Sequence, residues 1–74
     1  MTEPPPIGSR EELRAFIGEN LGFACVHASH AIDYAELGQD ALLGLAVRNA
    51  TSHFKAALET YHDLCSNAVA EESA

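Results

Sequence analysis

The chain has 74 residues, 11 acidic and 4 basic side chains, and a net charge of -7. This length allows one domain at most, and so small a domain buries only a modest share of its surface. The four basic residues are scattered, which argues against direct binding of nucleic acid or of an anionic membrane surface, because both depend on clustered lysine and arginine.

The two cysteines, Cys25 and Cys65, occur without a CxxC motif or a secretory signal, so we expect a reduced, cytoplasmic protein. No apolar run approaches the ~20 residues of a membrane span. Both cysteines are predicted at or near apolar faces, where a thiol is usually inert packing. Because there is also no serine elbow and no phosphate-binding glycine loop, we predict no catalytic residue and expect that the chain is not an enzyme.

The N-terminal segment, residues 1–8, contains three consecutive prolines and is predicted to form a flexible arm. Helix is predicted to begin at Ser9, because "SREE" has the form of a capping box in which Ser9 and Glu12 satisfy each other's backbone amides. The next stop signal is "LGQD", where Gly38 is a natural helix end and Asp40 a natural N-cap. The first helix is therefore predicted over about residues 9–37.

Two glycines make the first helix ambiguous, since Gly18 and Gly22 each cost about 1 kcal/mol in a helix interior. A break near residues 18–22 would give a three-helix bundle, which is the alternative fold. The apolar stripe favours a continuous helix, because it crosses the glycines without a change of phase. This stripe consists of Leu13, Ile17, Leu21, Ala24, Ala28, Ala31 and Ala35.

The second helix is predicted over about residues 40–67 and is followed by a frayed acidic tail over residues 68–74. Its apolar residues recur at alternating spacings of four and three, as in a heptad seam. The seam consists of Leu43, Val47, Ala50, Phe54, Ala57, Tyr61, Leu64 and Ala68. Two amphipathic helices joined by a short turn form an antiparallel hairpin, so the predicted fold class is all-α.

A single hairpin leaves apolar surface uncovered, and a second copy would close it as a homodimeric four-helix bundle. The alanines of the first helix would allow a partner helix to approach closely. The residues expected at the interface are Leu42, Leu45, Val26, Ile32, Ala28, Ala31 and Ala35.

The stretch "FACVHASHAIDY" places His27 and His30 three residues apart. If the hairpin turns at Gly38, His53 comes level with about Cys25 and projects on the same side. The three imidazoles would then converge, and three histidines together with a water are a known set of ligands for catalytic zinc. In the simpler interpretation, His27 is a hydrogen-bonded core residue that the other two flank in solvent.

Small size, acidic charge and surplus apolar surface favour a non-catalytic protein that acts by protein–protein interaction, as an adaptor, a regulatory subunit or an inhibitor. One alternative is a metal-binding or sensing bundle that uses His27, His30 and His53, with a transition metal such as zinc; otherwise we expect no cofactor. A second alternative is a bundle that binds a small molecule. The expected partner is a second copy of the chain, and another protein is a further candidate.

Overall fold

The computed structural model describes the backbone of residues 9–73 and the side chains of residues 9–66. Two helices, α1 (Arg10–Leu37) and α2 (Asp40–Ser73), pack against each other as a hairpin. The described residues contain no strand, so the predicted all-α hairpin is confirmed. The predicted arm over residues 1–8 lies outside the described residues.

The start of α1 follows from its capping chemistry. Ser9 is extended (φ -67°, ψ 160°), and its hydroxyl accepts a hydrogen bond of 3.1 Å from the backbone N–H of Glu12. This bond satisfies one of the N–H groups that lack a helical partner in the first turn. Glu11 and Glu12 also stand where the helix dipole favours negative charge.

The turn between the helices depends on Gly38, which adopts φ 69°. Its N–H donates to the carbonyl of Ala35, and the N–H of Gln39 donates to the carbonyl of Tyr34 at 2.9 Å. Glycine reaches this left-handed conformation without the strain that a side chain would add. The helix α2 begins at Asp40, one residue earlier than the predicted cap implies, and the Asp40 carboxylate lies in the first turn.

The helix α1 is unbroken through residues 18–22, so the three-helix alternative is wrong. Gly18 and Gly22 are exposed, and a methyl group added to either would meet no atom within 4 Å. Between them, Asn20 is buried, and its Nδ2 donates to the carbonyl of Phe16 at 3.0 Å. The cost of the two glycines is therefore offset at this point by an anchored side chain.

At its C-terminal end, α2 continues to Ser73, beyond the predicted end at about residue 67. The added segment contains alanine and glutamate, which favour helix, and no glycine or proline that would end it. Helical backbone over residues 68–73 does not test how readily this segment frays, so the frayed acidic tail over residues 68–74 stays a prediction.

The contact between the helices is lined by small side chains. The buried apolar residues are all alanines, Ala24, Ala46, Ala50 and Ala57, and the buried polar residue is Asn20. No large side chain among the described residues is fully buried. Small residues at the contact let two helices approach closely, so these five residues define the seam of the hairpin.

Most of the large apolar side chains lie on the outside of the hairpin instead. Among the described residues, twelve of them are 40–71% exposed: Phe16, Leu21, Phe23, Val26, Ile32, Leu37, Leu42, Leu45, Val47, Phe54, Leu58 and Tyr61. The predicted seam of α2 is correct at Ala50 and Ala57 but wrong at Val47, Phe54 and Tyr61, which are about half exposed. The helix is turned so that its smallest residues face α1.

Candidate functional site

The three histidines singled out in the sequence come together on one side of the hairpin. The rings of His27 and His53 are parallel within 7°, with centroids 5.4 Å apart. The ring of His30 stands nearly perpendicular to that of His27, with centroids 6.4 Å apart. The register of the hairpin therefore brings a histidine of α2 against the pair on α1.

The orientation of His53 is fixed by the buried amide of Asn20. The Nδ2 of Asn20 donates to a carbonyl of its own helix, and its Oδ1 lies 3.0 Å from Nδ1 of His53. A carbonyl oxygen can only accept, so Nδ1 of His53 carries the proton and Nε2 of the neutral ring keeps a lone pair. The ring of Phe23 packs against the same imidazole, with centroids 5.2 Å apart. His53 is thus a half-buried, oriented residue, in contrast to the solvent-flanking position of the simpler interpretation.

A small cavity of about 190 Å³ adjoins the histidines. We call this side of the hairpin the histidine face and define it by the cavity lining together with Phe23 and His53. The lining residues are His27, His30, Tyr34, Leu42, Leu45, Ala46 and Asn49.

The arrangement of the rings does not make a ready metal site. Zinc requires imidazole nitrogens that point at one centre from about 2.0–2.1 Å, whereas stacked parallel rings direct their in-plane lone pairs past each other. Within the part of the chain that the structure describes, no group of three or more His, Cys, Asp or Glu is placed to hold a metal ion. A zinc site at His27, His30 and His53 stays a prediction, and it requires the rings to turn.

The residues predicted for a dimer interface do not share one surface. Leu42 and Leu45 line the cavity of the histidine face. Ile32 instead continues the series Leu21, Cys25 and Ala28, whose spacings of three and four place it on the opposite side of α1. Ala28 and Ala31 are half-buried, whereas Ala35 and Val26 are exposed. Their role in self-association stays a prediction.

On the side opposite the histidines lies a wider groove of about 320 Å³, lined by Ile17, Leu21, Phe54, Ala57, Leu58 and Tyr61. Cys25 and Ile32 extend this surface along α1, and Val47 extends it along α2, because they follow the same helical spacing. We call the side formed by Ile17, Leu21, Cys25, Ile32, Val47, Phe54, Leu58 and Tyr61 the apolar face.

The apolar face is not predicted from the apolar spacing, which places Phe54 and Tyr61 in the contact with α1. The signal that would have found it is the alternative stripe of small residues, Ala46, Ala50 and Ala57, at the same helical spacing. Once those alanines are taken as the contact with α1, the large residues beside them must point outward.

No family model, no curated protein and no solved structure matches this chain. Neither helix is long and apolar enough over the described residues to cross a membrane. Function is therefore inferred from the two faces of the hairpin.

Proposed function

We propose that this protein is a non-catalytic interaction module that acts by binding protein, as an adaptor, a regulatory subunit or an inhibitor. In this proposal its working form is a homodimer in which two hairpins make a four-helix bundle. The observation that carries it is the set of twelve large apolar side chains that are 40–71% exposed, beside a seam that buries alanines. Exposed apolar patches of more than a few hundred Å² are typical of interaction sites rather than of monomer surfaces.

The energetics of the hairpin point the same way. Full burial of a leucine or phenylalanine stabilises a fold by about 1.5–3 kcal/mol, and no such side chain is fully buried among the described residues. Chains of this size usually need a disulfide, a metal or a partner chain to be stable. Both Cys25 and Cys65 are free thiols, which leaves a metal or a partner chain, and the exposed apolar side chains favour the partner chain.

Native mass spectrometry of the untagged protein, purified without chelator and measured over a concentration series, tests this proposal. We expect a dimer that dissociates on dilution, with helicity measured in parallel by circular dichroism. A fully helical monomer at the highest concentrations, with no bound protein, would contradict the homodimer.

The metal-binding alternative is favoured by one specific feature, the fixed tautomer of His53. Metal-ligating histidines usually donate their other ring N–H to a carbonyl or carboxylate, and Asn20 provides that acceptor here. Titration of the wild type and of His27→Ala with zinc, followed by native mass spectrometry, tests it. Stoichiometric zinc on the wild type that the variant lacks would support the alternative, and the same zinc content in both would exclude this site.

A small-molecule-binding bundle is less well supported. The cavity on the histidine face, about 190 Å³, is smaller than the ~300–1,000 Å³ of typical ligand pockets. The groove of the apolar face is larger but open along its length, and its lining is almost wholly apolar. An open, apolar groove can accept the apolar side of another helix. A small molecule would need polar groups in the groove to orient it.

A further inference from the structure

We infer that the second copy of the chain docks on the apolar face, so that the two histidine faces lie on the outer surfaces of the dimer. This inference rests on the proposed homodimer and names the surface that closes it. It also assigns Leu42 and Leu45, which the sequence placed at the interface, to the outside of the assembly.

The two faces differ in how many polar groups would lose their contact with water when a second chain docks. The groove of the apolar face is lined by five aliphatic or phenyl side chains and Tyr61. The hydroxyl of Tyr61 is the polar group at this groove, and the neighbouring Cys65 side chain raises the pKa of Tyr61. The histidine face carries imidazole, amide and phenol groups, each of which is costly to bury without a hydrogen-bond partner.

The distribution of charge is compatible with docking on the apolar face. In a two-fold symmetric dimer a surface meets its own copy, so acidic residues on it would repel each other. Along the apolar face, from Ile17 to Ile32 and from Val47 to Tyr61, the positions at the shared spacing hold no acidic residue. Acidic residues stand at the margin of both faces, since Glu36 follows Ile32 of the apolar face by one turn and Glu19 precedes Phe23 of the histidine face by one turn. Two copies of a chain of net charge -7 can therefore meet on the middle of the apolar face without bringing carboxylates together.

The area of the apolar face is a large part of what a stable dimer requires. Its large side chains, Leu21, Ile32, Val47, Phe54, Leu58 and Tyr61, are 40–61% exposed. Because an aromatic side chain presents roughly 150–250 Å² in full and an aliphatic one less, these six offer on the order of 500 Å² per protomer. Standard interfaces bury about 800 Å² per partner, so this patch would form most of one.

A pair of leucines on α2 provides a matched test. Leu58 on the apolar face is 54% exposed and Leu45 on the histidine face is 52% exposed, so aspartate at either position is similarly tolerated within one hairpin. We expect Leu58→Asp to raise the dimer dissociation constant at least about 100-fold, because each dimer would then bury two unpaired carboxylates. We expect Leu45→Asp to change it by less than about threefold. Sedimentation equilibrium of the full chain measures both constants.

The outcomes separate this inference from the proposed homodimer. If Leu45→Asp dissociates the dimer and Leu58→Asp does not, the choice of face is wrong while the homodimer stands. If the wild type itself is monomeric at every concentration, both are wrong.

A second measurement does not depend on how Leu58→Asp folds. Cys25 is exposed in the single hairpin and lies one turn beyond Leu21, so docking on the apolar face should cover it. We expect its alkylation by a maleimide to be at least about tenfold slower in the wild-type dimer than after dilution to monomer, as followed by mass spectrometry of the Cys25 peptide. Equal rates in dimer and monomer would overturn the inference.

Discussion

The seam between the helices and the outer surfaces of the hairpin are built from opposite kinds of side chain. The seam holds Ala24, Ala46, Ala50 and Ala57 together with the amide of Asn20. The outer surfaces hold the three phenylalanines, Tyr61 and five of the leucines, each 40% exposed or more. In most small domains the large apolar side chains are buried as well, and charged and polar ones cover the surface.

The difference means that one set of residues determines how the two helices are arranged, and another set would provide most of the stabilising apolar burial. Alanines allow close approach, and the bond from His53 to Asn20, at 3.0 Å, aligns α2 along α1, so the seam defines one arrangement of the helices. Side chains of this kind contribute little apolar burial. The large residues that would contribute more are oriented for contact with another chain, which is why the hairpin and its assembly should be coupled in stability.

Enlarging the seam is the change with the largest expected effect within the hairpin. In Ala24→Leu, three additional carbons must enter a position that is 0% exposed. Overpacking of this kind typically costs 1–3 kcal/mol, and we expect about 3 kcal/mol because the facing residues are also on a rigid helix. Chemical denaturation at a fixed protein concentration measures the loss.

Ala35→Leu is the matched control for that prediction. Ala35 is on the same helix but exposed, so the same substitution should change the free energy of unfolding by less than about 0.5 kcal/mol. Equal losses in the two variants would mean that the helices do not pack through Ala24.

Removing the amide from the seam has the next largest expected effect. Asn20→Ala deletes the acceptor of His53 and the donor to the carbonyl of Phe16. A buried polar group left without its partner costs about 1–3 kcal/mol, and we expect about 2 kcal/mol because His53 is only half-buried and can recruit water. The midpoint of chemical denaturation reports the change.

Asn49→Ala distinguishes the role of that bond from the general effect of losing an amide. Asn49 is half-buried and lines the cavity of the histidine face, so its replacement should cost well under 1 kcal/mol. A larger loss from Asn49→Ala than from Asn20→Ala would show that the Asn20–His53 bond does not align the helices.

The parts of this fold that the sequence predicts are those governed by local chemistry. The start of α1 is predicted by the short capping sequence that begins at Ser9. The turn between the helices is predicted by Gly38 and the helix-forming residues that follow it. The approach of His53 to His27 was also predictable, because it follows from the length of the turn and the spacing of the helix.

The rotation of α2 about its axis was not predictable from apolar spacing alone. Phe54 and Tyr61 alternate with alanines at nearly the same angle, and hydrophobicity ranks the aromatic residues higher as core. The contact is decided instead by how closely two helices can approach, which favours alanine. The burial of Asn20 was not predictable for a related reason. A polar residue between two glycines is expected at the surface unless its hydrogen-bond partner on α2, His53, is known.

The smallest effect is expected where neither the seam nor the apolar face is involved. Gly22 is exposed in the middle of α1, and a methyl group there would contact nothing within 4 Å. Gly22→Ala should raise stability by about 0.5–1 kcal/mol, because alanine loses less conformational freedom in a helix, and should leave the dimer dissociation constant unchanged. Gly38→Ala makes the same chemical change at φ 69° and should instead destabilise the hairpin by about 1 kcal/mol. A loss of stability or of dimer in Gly22→Ala would mean that a partner covers the outer side of α1, and the choice of the apolar face would then have to be abandoned.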